Sequence, residues 1–157
     1  MPQSQNLKNK PQHAAPTAGE WFALHEEDPF NQTNGPIFVD HSFVGTETEP
    51  ARVGFRVGSQ NCSFAGACHG GIIASVLDIA LGHCAQVSSG VPHTPTISLN
   101  VDFLSAAAEG EWLESRVRIV RQTRRLLFAD ALLVGPNATV ARATAVFKIP
   151  SSPRETV

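Results

Sequence analysis

In residues 96–103, TISLNVDF, the apolar Ile97, Leu99, Val101 and Phe103 alternate with the polar Thr96, Ser98, Asn100 and Asp102. A period of two is that of a strand with one buried face. WLESRVRIVR repeats it, with Leu113, Val117 and Ile119 on one face and Glu114, Arg116 and Arg118 on the other. LLFADALLV and TVARATAVFKI read as two further strands, joined by the short connections QTRR and GPNA. In the last of these, Ala141, Ala143, Ala145 and Phe147 share a face, and such small residues let a helix pack closely. Upstream, IFVDHSFVGTE and ARVGFRV predict two more strands. EWFALHEE, residues 20–27, predicts a short helix anchored by Trp21, Phe22 and Leu24 and ended by the turn-rich DPFNQTNGP.

One segment breaks the two-residue period. AGACHGGIIASVLDIALG, residues 65–82, is apolar almost throughout and predicts a single long helix, apolar on all sides. A helix set apart from most of the strands argues an α+β fold: an antiparallel sheet of five or six strands curled around one central helix. Residues 19–150 form one domain in this reading. Residues 1–18, polar and without periodicity, and residues 151–157 are expected to be flexible tails.

Composition narrows the function. A hydrophobic share of 42% with 17% charged residues belongs to a folded domain. A net charge of -2 gives no broad attraction to nucleic acid or to an anionic membrane. The cysteines Cys62, Cys68 and Cys84 are too few for a disulfide scaffold and suggest a reducing compartment. The N-terminal residues lack the apolar core of a secretory signal, and the longest apolar run, Ile72–Leu81, is too short to span a bilayer. A cytoplasmic protein with no nucleic-acid or membrane partner is the expectation. The spacing of Cys62, Cys68, His69, His83 and Cys84 fits no standard metal arrangement, so no metal or cofactor is expected.

The chemistry concentrates in the long helix. Between Val57 and Val101, Asp78 is the only Asp, Glu, Lys or Arg. A carboxylate in such a run is either a structural residue bonded to a neighbouring strand or part of a site. Gly70 and Gly71 suit a helix start, where the first N–H groups have no internal acceptor and the macrodipole is positive. The Gly70 N–H could stabilise an oxyanion. His69 could cap the helix or serve the site. Eight residues separate Gly70 from Asp78, about 12 Å at 1.5 Å per residue. Two groups so far apart act on one small centre most simply when neighbouring subunits of a homodimer supply them.

GACHGGIIASVLDIALG, TISLNVDFLSAA, GEWLESRVRIVRQTRRLLFADALLV and ARATAVFKI together resemble the hotdog-fold acyl-CoA thioesterases of the phenylacetic-acid-pathway type, over about residues 36 to 149. The resemblance implies that Asp78 is nucleophile or general base and that the Gly70 N–H polarises the thioester carbonyl. It further implies that His69 holds the thioester end and that Thr96 positions the attacking water. Family sites lie across a dimer interface, and the dimers commonly pair into tetramers. Where the family often has an asparagine six residues before the histidine, this chain has Ser63, with Asn61 two residues earlier. Either Asn61 reaches the site or Ser63 takes a weaker form of the role. Arg121, Arg124 and Arg125, at the turn that the family makes basic, would meet the coenzyme A phosphates, or are simply solvated charges. The expected activity is hydrolysis of an acyl- or aryl-acyl-CoA to the free acid and coenzyme A. The alternative is a non-catalytic acyl-CoA-binding or regulatory hotdog protein.

Overall fold

The computed structural model describes residues 15–151; most of the two expected tails lies outside the described residues. In chain order come β1 (Trp21–Ala23), α1 (Pro29–Asn34), β2 (Ile37–Asp40), β3 (Val53–Arg56), a 3-10 turn (Ser59–Asn61) and α2 (Gly70–Ser89). Then follow β4 (Thr96–Phe103), β5 (Trp112–Gln122), β6 (Leu126–Val134) and β7 (Thr139–Lys148). The strands form one antiparallel sheet in the order β1-β2-β3-β5-β6-β7-β4, with the long helix packed on one face. This is the hotdog arrangement. The sheet has seven strands, not five or six.

The extra strand comes from a segment read as helix. Trp21–Ala23 pairs with Phe38–Asp40 across the edge of the sheet. Its anchor is aromatic: the Trp21 and Trp112 rings meet edge to face at 5.0 Å over Gly54. A Cβ on Gly54 would stand 2.1 Å from Trp112, so only glycine admits the pair. The first helix lies further on, where a turn was expected. Asp28 caps it by accepting from Phe30 N–H at 2.8 Å, and Pro29 takes the first helical position, which has no intrahelical hydrogen bond to lose.

The sheet covers one face of α2. Ile73, Val76, Leu77, Ala80, Leu81, Cys84 and Ala85 are buried on that face against the alanine-rich strand β7, Leu113 of β5 and Leu127 of β6. Ala141, Ala143 and Ala145 let the helix come close, and Gly82 sits against Phe147. The other face, with Ala74, Ser75, Asp78 and Ile79, is only partly covered. The helix is therefore not wrapped on all sides. It is long and apolar enough to cross a membrane by length and composition alone, but here it is the core helix of the sheet.

Strand β4 is an edge of the sheet, opposite β1. Its alternation is as expected, yet Ile97 and Phe103 are more than half exposed and Leu99 and Val101 only partly covered. A bulge between Thr96 and Ser98 displaces Ile97 from the ladder with β7.

Candidate active site

Asp78 stands near the middle of α2 on the uncovered side, and Thr96 opens β4 beside it. Thr96 Oγ1 donates to Asp78 Oδ1 at 2.8 Å. Both readings of the aspartate thus meet: it is bonded to a strand, and it is also open to solvent. Clefts of about 630 and 420 Å³ adjoin it, and Asp78, Ile79, Thr96 and Asp28 line both.

The start of α2 is built separately. His69 is the N-cap, with its Nδ1 accepting from Gly71 N–H at 2.9 Å. An accepting Nδ1 places the ring proton on Nε2, so the exposed imidazole offers an outward donor. The Gly71 N–H is committed to this cap, so the backbone donor left at the helix start is that of Gly70. No acceptor meets it among the described residues. A Cβ on Gly70 would stand 3.3 Å from the Phe103 ring, a tight contact that glycine avoids. Phe103 is more than half exposed and Phe64, at the tip of the loop before the helix, fully so; neither fills the core.

The structure brings Asp78 to Thr96 and His69 to the two glycines, and holds these pairs at separate levels of one helix. Asn61 stands beside the helix start, its C=O accepting from His69 N–H at 2.8 Å, but its side chain is committed to other partners. Its buried amide Oδ1 accepts from Gly58 N–H and its Nδ2 donates to Asn34 C=O, both at 2.8 Å. Asn61 is a clamp between the 3-10 turn and the end of α1. Ser63 is a turn residue, its hydroxyl accepting from Ala65 N–H at 3.3 Å. Arg121, Arg124 and Arg125 are exposed around the β5–β6 turn, with no carboxylate paired to them among the described residues. That turn is tied to the far end of α2 by Ser88 Oγ on Gln122 Oε1.

Sequence reasoning missed the wall supplied by the N-terminal segment. His25, Glu26, Glu27 and Asp28 face the larger cleft, and Phe30 faces the smaller. The Asp-Pro pair that caps α1 was the available signal. His83 also lines the larger cleft, and burial together with His25 and His41 pushes its pKa down. Burial drives the Cys68 and Cys84 thiols up to about 12. Among the described residues, no cluster of His, Cys, Asp and Glu is arranged to hold a metal.

A thioesterase superfamily model matches residues 65–141, which run from the loop before the glycine pair into β7. A Pseudomonas aeruginosa protein, PA0474, that carries a provisional esterase name is 33% identical over 99 residues, 62% of this chain and 74% of that one. The chain belongs to the thioesterase superfamily. It is a thioester hydrolase by that membership. Phenylacetic acid degradation protein PaaI from Thermus thermophilus, solved as a point mutant, aligns with a TM-score of 0.67 at 21% identity, over 78% of this chain and 100% of that one. The Escherichia coli PaaI protein gives 0.68 at 20%, over 82% and 90%. A Streptococcus pneumoniae thioesterase-type protein solved with coenzyme A gives 0.64 at 18%, over 74% and 90%. At these identities the structures share the fold.

Proposed function

We propose that this protein is an acyl-CoA thioesterase, cleaving an acyl- or aryl-acyl-CoA to the free acid and coenzyme A in a homodimeric site. The observation that carries this is the Asp78–Thr96 pair, open to solvent on the uncovered side of a helix whose first N–H is also free. Thr96 holds one carboxylate oxygen and leaves Oδ2 to take a proton from water or to attack the carbonyl itself. The Gly70 N–H, at the positive end of the helix, receives the charge that develops on the thioester oxygen. The two are about 12 Å apart along one helix, so the complete site pairs Asp78 of one subunit with Gly70 of another. Support for a dimer comes from the exposed edge of β4 and from the partly covered apolar face of α2 beside it. Pairing of dimers into tetramers extends the same reading. Arg121, Arg124 and Arg125 would receive the phosphates, and the three free cysteines favour a cytoplasmic setting.

Thiol release from a panel of aryl- and alkyl-acyl-CoAs tests the reading, with wild type beside Asp78→Ala and Asp78→Asn. Release that falls by roughly a thousandfold in both variants, while they stay folded oligomers, supports it. Undiminished release from the variants sinks the role of Asp78.

A further inference from the structure

The two clefts beside Asp78 differ in chemistry. The larger is lined by Glu26 and Glu27 beside His25, His83 and His93, and no Lys or Arg lines it; Asp28 and Asp78 line both clefts. The smaller, about 420 Å³, has Phe30, Ala74, Ile79 and Leu99 among its walls. Three of these come from α2 and β4. Phe30 comes from α1, which lies outside the segment that the family model matches.

We propose that Phe30 sets the upper size of the acyl group: an uncharged acyl chain lies in the apolar cleft, its carbonyl at Asp78 and its far end against the Phe30 ring. This rests on the thioesterase reading and names its substrate class. Two arguments carry it. An apolar chain gains by leaving water for Phe30, Ala74, Ile79 and Leu99, whereas Asp28 in the same cleft and Glu26 and Glu27 in the larger one disfavour a terminal carboxylate or the coenzyme A phosphates there.

The second argument is rigidity, because a wall limits size only if it does not yield. Helix α1 is short, yet it is braced at both ends. Asn31, buried, donates through Nδ2 to Leu24 C=O at 2.8 Å and to His25 C=O at 3.3 Å. Asn61 Nδ2 holds the Asn34 carbonyl at the other end. His25 itself adopts a left-handed φ of 51°, which fixes the tight entry into the cap. Phe30 is thus a side chain on a clamped element.

Thiol release measured across straight-chain acyl-CoAs of rising length tests this, with wild type beside Phe30→Ala and Phe30→Trp and with an ω-carboxyl acyl-CoA of matched length. The ratio of kcat/KM for long over short chains is expected to rise roughly tenfold in Phe30→Ala and to fall in Phe30→Trp. Wild type is expected to act on the ω-carboxyl substrate at least about tenfold more slowly than on its uncharged match. Gel filtration and circular dichroism establish that the variants are folded, and Phe30→Trp retains an aromatic ring should the alanine variant fail. Release with the same length profile in the folded variants, or equal rates on the carboxylated substrate, overturns the proposal and leaves the thioesterase reading standing. No release by wild type from any acyl-CoA defeats that reading, and this one with it.

Discussion

Thr96 Oγ1 donates to Asp78 Oδ1 at 2.8 Å, joining the first residue of β4 to the middle of α2. Replacing Thr96 by Val keeps the shape and removes the donor that holds Asp78 Oδ1. Thioester hydrolysis in Thr96→Val is expected to fall roughly tenfold or more, because the carboxylate loses the group that orients it. Thr96→Ser should retain most of it. Because Thr96 is exposed, the melting temperature should barely move. A Val variant as active as wild type would remove Thr96 from the mechanism.

Asn61 should behave in the opposite way, acting on stability first. Asn61→Ala leaves Asn34 C=O and Gly58 N–H without their partner and should cost about 1–3 kcal/mol in denaturant unfolding. Since the bond to Asn34 braces α1, the same variant should also broaden the range of acyl lengths hydrolysed. Stability equal to wild type would show that water replaces the amide.

His69 joins two tasks that one pair of variants separates. His69→Ala removes the cap on Gly71 N–H and should lose about 1 kcal/mol of stability. Asparagine is a good N-cap, so His69→Asn should recover that stability. If Nε2–H meets the substrate, His69→Asn should regain the melting temperature but not kcat/KM. Recovery of both would reduce His69 to a cap.

Acid stability offers a separate check. The pKa of His83 in the fold lies below its ordinary value of 6.5, first through burial and then through His25 and His41. Between that lowered value and 6.5 the unfolded chain binds more protons than the folded one, so stability is lost as pH falls through this window. Replacing His83 by Gln should flatten the decline in melting temperature as pH falls below 6.5. An unaltered slope would place the acid sensitivity elsewhere.

The parts of this fold legible in the sequence are those with a strong local period. The alternation of β4, β5 and β7 and the apolar run of α2 appear where they were expected. What the alternation of Ile97, Leu99, Val101 and Phe103 could not carry is that β4 lies at an open edge, because sheet order is a property of distant pairings. Trp21–Ala23 was misread for a related reason. Three residues hold no period, and what fixes them as a strand is Phe38–Asp40 together with a Trp ring from β5. Within the candidate site, what was legible is placement: His69 and Gly70 at the start of α2, Asp78 near its middle and Thr96 at the start of β4. That of Asn61 was not, since the carbonyl it clamps is 27 residues away. Phe30 was hidden by the Asn- and Gly-rich residues around it, which masked the Asp28-Pro29 cap.

The spacing of Gly70 and Asp78 on one helix has a consequence for mixtures of damaged subunits. Proline at position 70 is compatible with the first turn of a helix and removes the N–H there, so Gly70→Pro is expected to be inactive alone, as is Asp78→Ala. If each site draws one group from each subunit, a hybrid of these two chains contains one site in which both groups are lost and one in which both are intact. Unfolding and refolding the two dead proteins together should then restore about a quarter of wild-type activity, since half the dimers are hybrids and half their sites work. Two inactive preparations would regain catalysis by exchanging partners, with no residue repaired.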